Sequence, residues 1–292
     1  MHLPRALARI YMPEQIVTSS VRLVTLPAVF MQVKKVVDDP RATPMDLAKV
    51  ISVDPAMSAR LLQLINSAFW GFSGVIDSLS RAVSLLGMIH VHDLVLASSV
   101  AQSFEGIPSG LMDVQKFWRA SVFRSLAATA LARRAEVVDL GRVFTQALLS
   151  DLGHMVLYLQ LPDHAGRVLV QTRAHPWERA SVERSLIGCD YAQVGAALCD
   201  NWKLPPSFGE AIRHQNDPQA AGAYTLEASL VHIAAVLAQG LELEITSTAM
   251  ISRVDPFAWE TVQLAPDCLS SILQEAEDGV ESTTRMFGLA GA

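Results

Sequence analysis

The sequence is poor in cysteine and has no excess of positive charge. Only three cysteines occur among 292 residues, Cys189, Cys199 and Cys268, and none forms a CxxC pair. This odd, scattered set argues against a disulfide framework or a zinc knuckle and favours a reducing, cytoplasmic setting. With 23 Lys and Arg against 29 Asp and Glu, the net charge is −6. We therefore expect no nonspecific binding to nucleic acid or to an anionic membrane, since both need a basic patch.

Long apolar runs and common catalytic motifs are also missing. The first 15 residues lack the continuous apolar stretch of a signal peptide. The most apolar window, residues 228–241, is interrupted by polar residues and glycine and is too short to span a bilayer, so we expect no membrane insertion. There is no GxSxG elbow, no HExxH pair and no glycine-rich phosphate loop. These absences remove the usual signatures of serine hydrolases, zinc peptidases and nucleotide-binding α/β proteins.

Helix signals recur along the whole chain, whereas sustained alternation of β-branched residues does not occur. Thr43-Pro44 and Asp54-Pro55 each place a capping residue before a proline at the first helical position. Together with 51% hydrophobic residues, enough for a sizeable core, these signals predict an all-α fold. One of the predicted helices is continuous over residues 142–159.

Two glycines lie inside otherwise favourable predicted helices. Gly153 and Gly195 each cost about 1 kcal/mol relative to alanine in a helix interior. We interpret both as positions of close contact between helices. A further glycine-containing stretch, EGIPSG at residues 105–110, is the best candidate for a hinge between an N-terminal and a central helical lobe.

Several segments occur together in one fixed order, and this combination is specific for a family although no single segment is. They are DPAMSARLLQLINSAFWG from Asp54, IDSLSRAVSLLGMIHVHDLVL from Ile76, FWRAS from Phe117, ALLSDLG from Ala147, GCDYAQVGAALCDNWKLP from Gly188 and AIRHQ from Ala211. Over roughly residues 16–215 the chain thereby resembles the HDOD family, the HD-related output domains of bacterial signalling.

The resemblance implies two packed helical lobes, an N-terminal one over about residues 16–105 and an HD-domain-like one over about residues 111–215. The second lobe would be related to HD and HD-GYP phosphohydrolases. Residues 216–292 would form a C-terminal helical extension packed on the HD-like lobe.

The resemblance also implies where metal ligands would lie. Metal-binding relatives use a His near the FW landmark, an adjacent His-Asp pair, two later histidines and an Asp in a late helix. The corresponding positions here are Ala120, Ser150, Asp151, Tyr191, His214, Gln215 and Ala235. Only Asp151 and His214 could coordinate well, and activation of water on a metal needs about three protein ligands. We therefore expect no bound metal, no cofactor and no catalytic residue.

These considerations predict a non-catalytic bacterial signalling protein that acts through protein–protein interaction. The resemblance implies partners among histidine kinases, response regulators and cyclic-di-GMP enzymes. Two alternatives stay open. One is a divergent metal-dependent phosphohydrolase of cyclic dinucleotides or nucleotides that uses Asp151, His214 and a further ligand. The other is a small-molecule sensor that binds in the vacated pocket beside Ser150, Tyr191 and His214.

We expect the remaining acidic and histidine residues to have structural or surface roles. Because an unpaired buried carboxylate is costly, we expect Asp151 to hydrogen-bond His214, with Tyr191 or Ser150 as a second donor. We expect His154 to be solvated. In HVHD, His90 and His92 are two residues apart on a helix and point to different faces, so they cannot easily share an ion. We expect both to be surface or interface residues whose substitution alters partner binding without lowering the melting temperature.

Overall fold

The computed structural model of the protein describes residues 10–19, 26–67, 74–100, 107–108, 110–287 and 289. Within these ranges the chain forms α-helices and short 3₁₀ turns with no β-strand, which confirms the all-α prediction. The helices of the first half are α1 (Pro13–Thr18), α2 (Ala28–Val37), α3 (Pro44–Ser52), α4 (Pro55–Ile65), α5 (Leu79–Leu86), α6 (Met88–Val100) and α7 (Val114–Arg134). The second half adds α8 (Leu140–Leu149), α9 (Leu152–Gln160), α10 (Pro162–Gln171), α11 (Arg179–Leu186), α12 (Tyr191–Asn201), α13 (Pro206–Arg213), α14 (Thr225–Glu242), α15 (Ser247–Ile251), α16 (Pro256–Val262) and α17 (Leu269–Met286).

The starts of α3 and α4 follow the capping pattern of the sequence. The Thr43 hydroxyl accepts a hydrogen bond from the Asp46 amide at 3.3 Å, and the Asp46 carboxylate accepts one from the Thr43 amide at 3.0 Å. Asp54 caps α4 by accepting from the amide of Met57 at 2.9 Å. Both helices begin at the expected prolines, since a proline at the first helical position leaves no amide hydrogen unsatisfied.

The prediction of one continuous helix over residues 142–159 is wrong. Ser150 and Asp151 separate α8 from α9, and the backbone leaves the helical angles at Asp151, where φ is −106° and ψ is 0°. The Ser150 hydroxyl donates to the carbonyl oxygen of Ala147 at 2.8 Å, and a side chain that competes for a backbone carbonyl in this way weakens helix continuation. As a result Asp151 lies in a turn between two helices.

Helices α2 to α6 form the N-terminal lobe, and its main contact with the HD-like lobe is the packing of α6 against α8. The short α1, which the sequence assigns to the N-terminal lobe, has its contacts with α9 and α12 of the HD-like lobe instead. Its residues Ile16 and Val17 are buried. Half of the residues of the hinge expected at 105–110 lie outside the described residues, and the domain boundaries stay predictions.

The C-terminal part of the chain lies on the HD-like lobe, where both α14 and α17 pack against α7. Arg134 of α7 pairs with Glu275 of α17 at 3.0 Å. Arg119, near the start of α7, pairs with Glu281 further along α17, so the two helices run antiparallel. These pairs are partly exposed, and we ascribe most of the stabilisation to the buried side of α17.

The end of α17 also reaches the N-terminal lobe. The buried ring of Phe287 stacks on Phe144 of α8 with ring centroids 5.9 Å apart. Phe287 lines a small cavity together with Leu61 and Leu64 of α4 and Leu94 of α6. The last helix therefore connects both lobes.

Among the described residues, the segment Pro218–Glu242 is long and apolar enough to cross a membrane. Half of its apolar window is buried inside the protein, and α14 contacts α7, α13 and α16. These contacts account for its apolar residues, as they do in any core helix. The expected absence of membrane insertion stays a prediction.

The close helix contact predicted for Gly153 and Gly195 is confirmed. A Cβ atom on Gly153 would lie 1.8 Å from the carbonyl oxygen of Tyr191 and 2.8 Å from the amide nitrogen of Gly195. Both atoms belong to the backbone and cannot swing aside as the tip of a side chain can. Glycine at position 153 therefore permits the crossing of α9 and α12, which brings Tyr191 beside α9.

We expect Gly153→Ala to lower the free energy of unfolding by about 3 kcal/mol, because the added methyl group forces α9 and α12 apart. Gly166→Ala in α10 is the matched control, since its Cβ would meet only Leu111, at an ordinary 3.7 Å. The control should be neutral or stabilise by up to about 1 kcal/mol through helix propensity. Urea denaturation followed by circular dichroism measures both variants, and equal stabilities would contradict the close crossing.

Candidate functional site

Asp151, in the turn between α8 and α9, is bonded by two cationic side chains. Nη2 of Arg124 on α7 lies 3.3 Å from Asp151 Oδ2. His154, in the first turn of α9, donates from Nδ1 to Asp151 Oδ1 at 3.0 Å. Burial alone would raise the pKa of the Asp151 carboxyl, but the charges of Arg124 and His154 outweigh burial and hold that pKa well below its usual range. Asp151 is therefore ionised and paired on both oxygens.

His154 is held between two carboxylates. Its Nε2 lies 3.2 Å from Oε1 of Glu183 on α11, opposite the contact with Asp151. Burial would lower the pKa of His154, but Asp151 and Glu183 outweigh burial and raise the pKa to about 9. The expectation of a solvated His154 is wrong, since the residue is only 5% exposed. We call Arg124, Asp151, His154 and Glu183 the buried ionic network.

Tyr191 covers this network from the start of α12. Its ring stacks on His154 with centroids 4.1 Å apart and an interplanar angle of 14°. Its amide donates to Oε2 of Glu183 at 2.8 Å, and its hydroxyl donates to Asn216 at 3.1 Å. Burial raises the pKa of the hydroxyl, and the charge of Asp151 adds to that effect. Tyr191 is thus uncharged, and its ring covers one face of the protonated imidazole of His154.

A second set of hydrogen bonds joins Ser150 to the late helices. Arg124 Nη1 donates to the Ser150 hydroxyl at 3.2 Å, and the Gln215 side-chain amide donates to the Ser150 carbonyl oxygen at 2.7 Å. His232 of α14 donates from Nδ1 to the Gln215 carbonyl oxygen at 2.7 Å and accepts at Nε2 from the Asp255 amide at 3.0 Å. Because one ring nitrogen donates and the other accepts, this histidine is neutral, consistent with a pKa lowered by burial.

The structure brings together four of the seven predicted positions: Ser150, Asp151, Tyr191 and Gln215. Sequence reasoning pairs Asp151 with His214, whereas the structure pairs His214 with Glu210 at 3.4 Å within the same stretch of chain. This corrects the expectation, because Arg124 and His154 already satisfy the carboxylate. Ala120 and Ala235 are half-buried and offer no polar side-chain atom.

The residues present do not fit a divalent metal ion of the kind that the family's relatives bind. Asp151 is bonded to a guanidinium and to a protonated imidazole, and neither can donate electrons to a metal. Over the described ranges, no three His, Cys, Asp or Glu side chains are grouped so that they could hold an ion. The donor set is therefore suited to internal ion pairing rather than to coordination.

The HVHD segment lies in α6 at the junction of the two lobes. His92 is buried, with Nδ1 2.8 Å from Asp93 Oδ1 and its ring against Phe30 of α2. His90 is half-buried, and its Nε2 lies 2.7 Å from Asp139 Oδ1 at the start of α8. The expectation that both are surface or interface residues is therefore corrected for His92, which is buried with an internal partner, whereas His90 is half-buried at the junction of the lobes. The effect of either substitution on partner binding and on the melting temperature stays a prediction.

Three residues of the site escape sequence reasoning: Arg124, Glu183 and His232. Arg124 has a usable signal, because it is the one charge in the apolar stretch VFRSLAATALA of α7, and a buried charge requires a partner. Glu183 lies in a polar, highly charged helix, so the sequence gives no signal that this carboxylate is buried. The partners of His232 come from two other segments and are set by tertiary packing.

Comparison with known sequences agrees with the geometry. Residues 23–218 match the sequence model of the HDOD domain. The chain belongs to the HDOD family. Its match to an uncharacterized protein of Treponema pallidum (strain Nichols) is 27% identical over 205 residues, which is 68% of this HDOD chain and 39% of that relative. The chain thus corresponds to less than half of the length of that curated relative.

Solved structures share the HDOD fold. A candidate phosphohydrolase from Shewanella amazonensis SB2B has a TM-score of 0.74 at 23% identity, over 94% of this chain and 98% of that one. An HDOD domain protein of unknown function from Geobacter sulfurreducens has a TM-score of 0.70 at 18% identity, over 95% and 98%. A candidate signal transduction protein from Marinobacter aquaeolei VT8 has a TM-score of 0.66 at 24% identity, over 91% and 59%. At these identities the likeness shows the fold alone.

We expect the protein to lose stability as the pH rises from 6.5 towards 9. His154 has an ordinary pKa of 6.5 and a folded-state pKa of about 9. A raised folded-state pKa contributes stability that is fully present below pH 6.5 and is lost as the pH rises through the folded-state value, by up to about 3 kcal/mol. Urea denaturation across this interval measures the loss. His154→Gln should show a much smaller change, and a parallel decline in both proteins would contradict a protonated His154.

Proposed function

We propose that this HDOD protein is a non-catalytic bacterial signalling protein that acts in the cytoplasm through protein–protein interaction. Family membership supports a signalling role, as does the name of the Marinobacter aquaeolei structure. The observation that carries the proposal is the pairing of Asp151, whose two carboxylate oxygens are bonded to cationic side chains of the same chain. An acidic residue used in this way serves the internal structure of the protein.

The phosphohydrolase alternative requires Asp151 to face a metal ion and an activated water molecule. Asp151 would first have to exchange Arg124 and His154 for the ion, and both oxygens would lose their present partners. His154 cannot take part as a ligand while both of its ring nitrogens carry hydrogen. The arrangement therefore favours binding over hydrolysis.

The sensor alternative requires open space beside Ser150, Tyr191 and His214. Ser150 is fully buried and is bonded to Gln215, which is itself 1% exposed. The ring of Tyr191 lies flat against His154. Ser150 is therefore inaccessible to a ligand and an aromatic ring covers His154, and no observation favours this alternative.

The proposed partners are other signalling proteins, and the family resemblance suggests histidine kinases, response regulators or cyclic-di-GMP enzymes. The N-terminal lobe offers exposed aliphatic side chains for such contacts. Met45 of α3 is 53% exposed and Leu85 of α5 is 54% exposed. The sulfur of Met45 lies 3.6 Å from the Ser80 hydroxyl of α5, so α3 and α5 lie side by side.

We expect the purified full-length protein to carry no stoichiometric zinc, manganese, iron or nickel and to hydrolyse no cyclic dinucleotide, because its donor set is incomplete. Elemental analysis after dialysis and chromatography of cyclic-di-GMP incubated with added Mn²⁺ measure the two properties. One tightly held ion per chain, or metal-dependent turnover, would overturn the proposal in favour of the hydrolase. A rise in melting temperature with a nucleotide alone would favour the sensor.

We expect Leu85→Glu to reduce recovery of the physiological partner without lowering the melting temperature, because a charge on an exposed position disturbs an apolar contact and not the core. Affinity purification from the native host with mass spectrometry identifies the partner, and a binding titration with that purified protein quantifies the change. Val170→Glu is the matched control, since Val170 is 77% exposed on α10 of the other lobe. If Leu85→Glu and Val170→Glu lose binding equally, the loss is not specific to the surface of α5, and the contact with the partner lies elsewhere.

A further inference from the structure

Arg124 places a full positive charge inside the HD-like lobe. The residue is only 7% exposed, and its Nη2 lies 3.3 Å from Asp151 Oδ2. Its Nη1 donates to the Ser150 hydroxyl at 3.2 Å. The guanidinium therefore contacts both the acidic residue and the serine at the position of the family's histidine.

Small side chains at Ala120 and Ser150 leave room for this guanidinium. Ala120 precedes Arg124 by four residues on α7, and residues with this spacing are neighbours on one helix face. The two positions that would carry imidazole ligands in metal-binding relatives thus lie next to the arginine. Imidazole rings there would compete with the guanidinium for the same space.

We propose that Arg124 is a built-in replacement for a metal ion: its guanidinium supplies the positive charge that Asp151 needs and closes the site to divalent cations. An ionised carboxylate that is largely removed from water, as that of Asp151 is with 19% of its side chain exposed, requires a counter-charge. Arginine is suited to the task because its guanidinium is always charged and presents several donors in one plane. A divalent cation beside Asp151 would be repelled by this nearby charge, and the repulsion is weakly screened away from water. The assignment goes beyond the proposed function, since it holds whichever partner the protein binds.

A double-mutant cycle in the full-length protein tests the charge pairing. Arg124→Gln leaves Asp151 short of a cation and should lower the melting temperature by roughly 10 °C. Asp151→Asn in the same chain removes the uncompensated charge, so the double variant should melt above Arg124→Gln alone. Arg119→Gln breaks only the surface pair with Glu281 and is the matched control, expected to melt within about 2 °C of the wild type.

Failure of Asp151→Asn to recover stability overturns the charge role. If Arg124→Gln alone does not fold, a folded double variant supports the role and an unfolded one overturns it.

Metal uptake tests the closure of the site. Ala120→His and Ser150→His together place imidazoles at the two former ligand positions, once with Arg124 retained and once with Arg124→Gln. Both forms are dialysed against Zn²⁺ or Mn²⁺ and the bound ion is measured by elemental analysis. We expect a change from no bound metal with Arg124 retained to about one ion per chain without it.

Uptake by both forms, or by neither, overturns the claim that Arg124 closes the site. Should the paired histidines prevent folding, the smaller pair Ala120→Cys and Ser150→Cys, which with Asp151 also supplies three ligands, is compared with and without Arg124 in Zn²⁺ under the same criteria. None of these results bears on partner binding by the wild-type protein. The Leu85→Glu experiment tests the proposed interaction separately, so failure of this inference and failure of that interaction can be distinguished.

Discussion

The alternating charges of Arg124, Asp151, His154 and Glu183 form the interaction on which the HD-like lobe depends. They come from α7, the turn between α8 and α9, α9 itself and α11, so one network fixes the relative positions of separate helices. Two positive and two negative groups balance, which reduces the cost of removing each from water. Loss of Asp151 or His154 removes the network partner of a neighbouring charge, and loss of Arg124 or Glu183 removes one of its neighbour's two partners. Such losses are far more costly than loss of a surface pair.

The crossing of α9 and α12 completes this arrangement. Close approach at Gly153 brings the first residue of α12, Tyr191, directly onto the imidazole of His154. The aromatic ring and the backbone amide of Tyr191 then replace water around His154 and Glu183. A position that the family resemblance marks for a metal ligand therefore carries an aromatic ring that shields the imidazole of His154 from water.

Sequence reasoning predicts the fold well and the site only in part. Caps and prolines locate the starts of α3 and α4, and the glycines at 153 and 195 reveal a helix crossing, because these signals act over a few residues. The partners of Asp151 cannot be predicted from such local signals, because Arg124 is distant in the sequence and His154 becomes buried only when α12 packs over it. The sequence shows a Ser at position 150 in place of the His of metal-binding relatives, whereas the compensating charge on another helix appears only once the chain is folded.

The long separation between α7 and α17 has a consequence for synthesis of the protein. Arg133 and Glu275, which join these helices, are 142 residues apart, and a ribosome needs on the order of 10 s to add that many residues. During this time the apolar face of α7 that later receives α17 is uncovered, as is the place between the lobes where Phe287 stacks on Phe144. A nascent chain in this state exposes an apolar surface that other chains or a chaperone can contact, and this surface stays exposed until the last helix has left the exit tunnel.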